Sequence, residues 1–434
     1  MNQRRLFLEY FFKEMKPYRY ALLKFTHTTI DEIPENSDVD MVISRRELDK
    51  ILKIIKLGKN IERIQLHKKT FAIFIRLLFE DGSYLEIDLL HRFDRKGIQY
   101  LDASMVLEEV MFTKSGLKVA YHAYNFEYIL LFYLLNDAVV PQKYRDYFSN
   151  FNPNDRGGIF IHMTSRYTVN INVLEDLYSL HSRHAKKIKT RISKLPVNKG
   201  IRWMYHKLRY AKDLIHDLIH HRGITITFSG VDGAGKSTMI DEVNEILKSK
   251  FRHRTIVLRH RPSLLPILSS MRHGKKAAEK KTRERLPRQG TNASVLSSFF
   301  RFMYYYNDYL FGQFYVYFKY TLRGYTVLYD RYYFDFIIDS KRSNIILSRK
   351  FMKWGYNFIF KPELNVFLYA DPEVIQARKQ ELNANEISQL TSDYRQLFTE
   401  LSHNGKKKNY LVLNNVSKED TLQRVMKECI YYTI

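Results

Sequence analysis

The segment Gly230-Val231-Asp232-Gly233-Ala234-Gly235-Lys236-Ser237 fits G-x-x-x-x-G-K-[ST] without a gap. It follows an apolar run at residues 224–228 and precedes a helical pattern with Met239, Val243, Ile246 and Leu247 on one face. A strand, a glycine-rich turn and a helix in that order constrain the fold more than any other feature of the chain. Glycines let the backbone curl with its N–H groups inward, and the helix that follows adds the positive end of its dipole. The result is a cradle for anionic oxygens, with Gly230, Asp232, Gly233, Ala234, Gly235, Lys236, Ser237 and Thr238 as its candidate lining.

Further apolar runs occur at residues 255–258, 325–329, 364–369 and 410–413, separated by helical segments. That rhythm predicts an α/β domain over residues 223–434: five parallel strands with helices on both faces. The 434 residues are too many for one typical core. Residues 1–140 mix helix and strand and read as an α+β domain. Within them, residues 44–58 predict a helix with Ser44 and Glu47 at capping-box spacing. Residues 70–90 predict a β-hairpin turning at Asp81-Gly82. Residues 141–222, whose later part is basic and helical, read as a connector.

Lys and Arg number 71 against 46 Asp and Glu, a formal net charge of +25. Polyanions are therefore admissible partners, nucleic acid among them. A single cysteine, Cys429, excludes an internal disulfide and suits a reducing compartment, so the expected location is the cytoplasm. The start of the chain is a poor signal peptide, because Glu9, Lys13 and Glu14 interrupt its apolar run. No stretch of about 18 uncharged apolar residues predicts a membrane span.

The phosphate loop calls for a nucleoside triphosphate. Lys236 would reach the β- and γ-phosphates and Ser237 would ligate Mg²⁺. Asp330-Arg331 closes the run 325–329, at the strand end that faces ligand in open α/β sheets. A carboxylate there can hold magnesium, and a guanidinium can clamp a second phosphate. In order, FSGVDGAGKST, VLYDRYYFD and VFLYADPEVIQARK resemble the thymidylate kinase family of P-loop kinases. The resemblance covers residues 223–434. It implies phosphoryl transfer from ATP with Mg²⁺ to a phosphorylated small acceptor such as a nucleoside monophosphate. Carried over by position, Lys236 and Ser237 serve ATP and magnesium, and Asp330 helps to organise the metal. Arg331 holds the acceptor phosphate, Asp232 stands near the acceptor sugar, and Arg378 of the lid reaches the transferred group.

The chain also departs from the family pattern. Arg261 stands where a glutamate is expected, and the aromatic helix near residues 299–320 has Asn307-Asp308 with no arginine following, where many family members have an Asp-Arg pair. That aromatic stripe reads mainly as core, with its ligand-facing tyrosines as candidate contacts. The basic stretch 272–288 reads as a solvated loop or as a clamp for a larger anionic acceptor.

Near the start, Asp38 and Asp40 share one strand face, as do Glu86 and Asp88 in a later strand. Converging carboxylates of this kind can bind Mg²⁺. Asp38, Asp40 and Asp88 resemble the catalytic carboxylates of the nucleotidyltransferase superfamily that includes DNA polymerase beta. The Gly-Ser pair of that superfamily is missing, so a domain that binds without turnover stays open beside an active transferase. For the whole chain, two alternatives to a small-molecule kinase stay open. One is a polynucleotide kinase joined to an end-modifying domain, and the other is an ATP-binding scaffold without catalysis. A homodimer is admitted as well.

Overall fold

The structure is a computed structural model. It describes residues 2–35, 37–170, 173–220, 223–249, 251, 253–259, 261–262, 294–378, 382–404 and 409–433. The basic stretch 272–288 lies outside the described residues. The chain divides into two compact units between His216 and Asp217, inside the helix Gly200–His220.

The first unit is built on nine strands: β1 (Tyr20–Leu23), β2 (Val39–Ile43), β3 (Ile61–Lys68), β4 (Ala72–Phe79), β5 (Tyr84–Leu90), β6 (Phe93–Arg95), β7 (Ile98–Leu101), β8 (Val110–Phe112) and β9 (Lys118–Ala120). Seven of them form one mixed sheet in the order β3-β4-β5-β2-β1-β9-β8, while β6 and β7 pair separately. Alternation sorts the side chains. Met41, Ile87 and Leu89 face the helices Gln3–Met15 and Leu48–Lys56. Val42 and Leu90 face a helical layer that includes His122–Leu135, Gln142–Ser149, Pro153–Tyr167 and Arg183–Ser193. Residues 141–216, read from sequence as a connector, thus send Tyr144, Phe148, Ile159, Ile188 and Ile192 into the first unit's core.

The hairpin forms as expected, with β4 and β5 antiparallel. The capping box at residue 44 does not. Residues Arg45–Glu47 make a short 3₁₀ turn before the helix Leu48–Lys56, and Ser44 makes no side-chain cap. Glu47 instead accepts from the Arg19 N–H at 3.0 Å. A distant backbone amide has claimed the carboxylate that would have closed the box.

The second unit carries the parallel sheet: β10 (Thr225–Ser229), β11 (Arg254–Arg259), β12 (Tyr325–Asp330), β13 (Leu364–Tyr369) and β14 (Asn409–Asn414). Their order is β11-β12-β10-β13-β14 and every pairing is parallel. This five-stranded sheet with its helices fits a P-loop kinase fold. The aromatic helix, Val295–Lys319, buries Phe302, Tyr306, Tyr309 and Val316 against β12 residues Val327 and Tyr329, so its inner stripe is core. Among the described residues no helix is long and apolar enough to cross a membrane.

Candidate active site

The loop between β10 and the helix Lys236–Ser249 sits at the carboxyl edge of the sheet, beside the ends of β12 and β13. Two of its glycines have steric reasons. Gly230 has φ +152°, and a Cβ there would lie 2.2 Å from the Leu368 carbonyl oxygen. Gly235 has φ +88°, and a Cβ there would meet Asn415 Nδ2 at 2.4 Å. Both positions need backbone that comes close to a neighbour in a conformation L side chains avoid.

A cavity of about 610 Å³ opens over this loop. Asp232, Gly233 and Gly235 line it from the loop, Lys236, Ser237 and Thr238 from the start of the helix, Asp330 and Arg331 from the end of β12, and Arg378 from the end of the helix Pro372–Arg378. The residues expected from sequence to serve phosphate are thus brought to one cavity. Gly230 and Ala234, also expected there, are not among its lining residues; Ala234 is fully buried.

The charges are tightly coupled. Asp232 accepts from Arg331 Nη2 and from Arg342 Nη1. Arg331 also donates to Asp335 at 2.6 Å and, more weakly, to the Gly230 carbonyl at 3.3 Å. Asp335 in turn accepts from the Tyr394 hydroxyl at 2.8 Å. Burial alone would raise the Asp232 carboxyl, but Arg331, Lys236 and Arg342 outweigh it and hold it well below the usual carboxylate range. Arg331 is buried, yet Asp335 and Asp232 keep its charge firmly in place. Its guanidinium, expected to hold the acceptor phosphate, is already engaged by two carboxylates.

Lys236 is buried and folded back, donating to the Val231 carbonyl at 2.8 Å, with Asp232 at 3.9 Å. Burial and then the neighbouring Arg331 push its ammonium down to about 7. A buried lysine beside an arginine holds its proton weakly until an anion arrives. Arg378 Nη1 lies 3.4 Å from the Gly233 carbonyl.

Five lining residues were not visible as site residues in the sequence: Met239, Arg342, Asn415, Val416 and Lys418. Asn415 donates from Nδ2 to the Ala234 carbonyl at 2.9 Å, and its Oδ1 is buried without a hydrogen bond. Its place just past β14, at the sheet edge that carries Asp330, is the one signal that points to it.

The family model for thymidylate kinase matches residues 228–426. Residues 228–426 are similar to thymidylate kinases. A match to that model points to nucleotide kinase activity for this part of the chain. Among solved structures, a thymidylate kinase from Ehrlichia chaffeensis aligns at 12% identity and a TM-score of 0.32. It covers 48% of this chain and 99% of that one. Among curated proteins, none matches.

In the first unit, β2 and β5 run parallel with Asp40 directly opposite Asp88. Lys24, just after β1, donates to Asp40 at 2.9 Å. Asp88 Oδ1 is buried without a hydrogen bond. Burial, then Asp40 and Glu86, push the Asp88 carboxyl well up. Asp38 precedes β2 and adds to the same field. Glu86 is paired with Arg76 at 3.2 Å.

Proposed function

We propose that the second unit transfers a phosphoryl group from ATP to a small phosphorylated acceptor, of the nucleoside monophosphate class. The observation that carries this is the single cavity shared by Lys236, Ser237, Asp330, Arg342 and Arg378 over the glycine loop. Inward amides and the helix start would bind the β- and γ-phosphates. Lys236, recharged by the incoming anion, would follow the charge that develops on the transferred group. Arg378 and Arg342 would hold donor and acceptor phosphates close and in line. Arg331 would work through Asp232, fixing the carboxylate that Arg342 also uses.

The Ser237 hydroxyl and the Asp330 carboxylate line the same cavity, a hard-oxygen donor pair suited to magnesium. When bound, Mg²⁺ would neutralise phosphate charge there. The decisive experiment incubates the protein with labelled ATP and a panel of nucleoside monophosphates, other phosphorylated small molecules and oligonucleotides. Transfer to a small acceptor supports the reading. Transfer to oligonucleotides alone would move it to the polynucleotide kinase class, and no transfer to any would leave an ATP-binding scaffold.

For the first unit we propose a nucleotidyltransferase-like domain whose turnover is lost. Support for this reading comes from Asp40 and Asp88, register partners on adjacent strands, with Asp38 just before the first of them. The ammonium of Lys24 already holds one of them.

A further inference from the structure

Lys24 is held in place more firmly than a surface lysine. Its backbone has φ +53°, a left-handed conformation that a residue with a Cβ rarely adopts. Its N–H donates to the side chain of Asn125, itself buried, at 2.9 Å. Its ammonium lies 4.3 Å from the ring centre of Phe132 and 5.5 Å from that of Tyr128. Asn125, Tyr128 and Phe132 all belong to the helix His122–Leu135, which packs on the sheet face carrying Asp40 and Asp88. Three independent contacts from one helix therefore aim a cation at the acid pair. Strain kept by this much surrounding structure marks a position with a task.

The acid pair also has the form of a cation site. Asp40 and Asp88 are register partners on parallel strands. Asp88 Oδ1 is buried without a hydrogen bond, and Lys24 is the cation whose charge acts on it. A divalent ion would need carboxylate oxygens from both residues at roughly 2.0–2.6 Å. An ammonium 2.9 Å from Asp40 Oδ1 takes that oxygen and repels a second cation.

We propose that Lys24 is the built-in counter-ion of the Asp40–Asp88 pair, standing in for a divalent metal, so that the first unit's acidic site binds none. This deepens the reading of that unit as a transferase fold without turnover. Lys24 and the acid pair lie wholly within residues 1–216, so an inactive kinase site leaves the expectation untouched.

The test is Mn²⁺ binding to nucleotide-free full-length protein, followed by electron paramagnetic resonance, with Asp88→Asn as the control that assigns a site to the first unit. The native protein is expected to show no Asp88-dependent Mn²⁺ site. Lys24→Met, similar in length but uncharged, is expected to gain one, at least about tenfold tighter than any binding in the native protein. That site should vanish in Lys24→Met/Asp88→Asn. Mn²⁺ should also raise the Tm of Lys24→Met by about 3 °C or more and leave the native Tm unmoved. A native Mn²⁺ site that disappears in Asp88→Asn overturns the proposal, as does a folded Lys24→Met that binds no better. If Lys24→Met does not fold, the native and Asp88→Asn titrations still decide the matter.

Discussion

Asn415 reaches from beyond the last strand to the phosphate loop, its Nδ2 donating to the Ala234 carbonyl across 2.9 Å. The amide also fills the space that a side chain at residue 235 would need. One residue thus ties the loop's middle to the far side of the sheet. Asn415→Ala removes the donor and leaves a buried carbonyl unpaired, a loss of about 1–2 kcal/mol in holding the loop. Nucleotide affinity is expected to fall about 5- to 30-fold by calorimetry, with a smaller change in Tm.

Lys236 is the cation nearest the curl of the loop, and it is buried against the Val231 carbonyl. Its hydrogen bond goes to a carbonyl within the same loop, so the fold depends little on it. Lys236→Ala is expected to lower phosphoryl transfer at least about 100-fold while the circular dichroism spectrum and Tm stay near native. Undiminished turnover in that variant would remove the assignment of this loop as the reaction centre.

The depressed Lys236 ammonium makes a signed prediction about protons. Its folded value of about 7 lies below the ordinary 10.5. Between those values the free protein holds it largely neutral, and the unfolded chain holds the proton. Stability from this group therefore rises with pH across that window. A bound triphosphate adds negative charge and restores the proton. ATP binding at pH 8.5 should take up close to one proton, seen as a dependence of binding heat on buffer ionisation enthalpy. The uptake should be absent in Lys236→Ala. Uptake that persists in the variant would place the titrating group elsewhere.

The parallel sheet was readable because its signals are local. Each strand is a short apolar run, and the loop's glycines sit where backbone sterics demand them. The positions of Lys236, Ser237, Asp330 and Arg378 follow from the same local order. Arg342 and Asn415 come from a turn and from the residue past a strand, where no periodicity marks them. Asp335 was hidden for another reason: its place at the site depends on contacts with Arg331 and Tyr394 that spacing does not mark. The helices of residues 141–216 carry apolar stripes such as Tyr144 with Phe148 and Ile188 with Ile192. Their basic outer faces dominated the reading and suggested a connector. Ser44 and Glu47 have the right spacing for a cap, but spacing says nothing of Arg19, whose amide takes the carboxylate.

The acid pair of the first unit and the phosphate loop call for separate chemistries, so their variants should separate. Asp40→Asn removes the partner of Lys24 within residues 1–216. Kinase turnover is expected to stay within about twofold of native, because no group of the phosphate cavity is altered. Steady-state kinetics with a fixed acceptor would show this. A loss as large as that from Lys236→Ala would mean that both units serve one reaction.

Arg261 and Asp308 sit at two positions where the chain departs from the thymidylate kinase pattern, and they meet in an ion pair at 2.7 Å. Asp308 is fully buried, and Arg261 lies over the Tyr305 ring at 4.9 Å. Removing the arginine takes a charge-assisted hydrogen bond from a buried carboxylate, at a cost of about 1.5–3 kcal/mol. Arg261→Met should therefore lower the denaturation midpoint strongly. Arg261→Met/Asp308→Leu should lose less than the sum of the two single variants, because the two residues share one contact. Additive losses would show that the two residues act apart. Because the expected glutamate and an arginine after Asn307-Asp308 are both missing, dTMP is expected to be a poor acceptor. Turnover of dTMP comparable to that of the best acceptor in the panel would show that Arg261 and Asp308 leave that specificity intact.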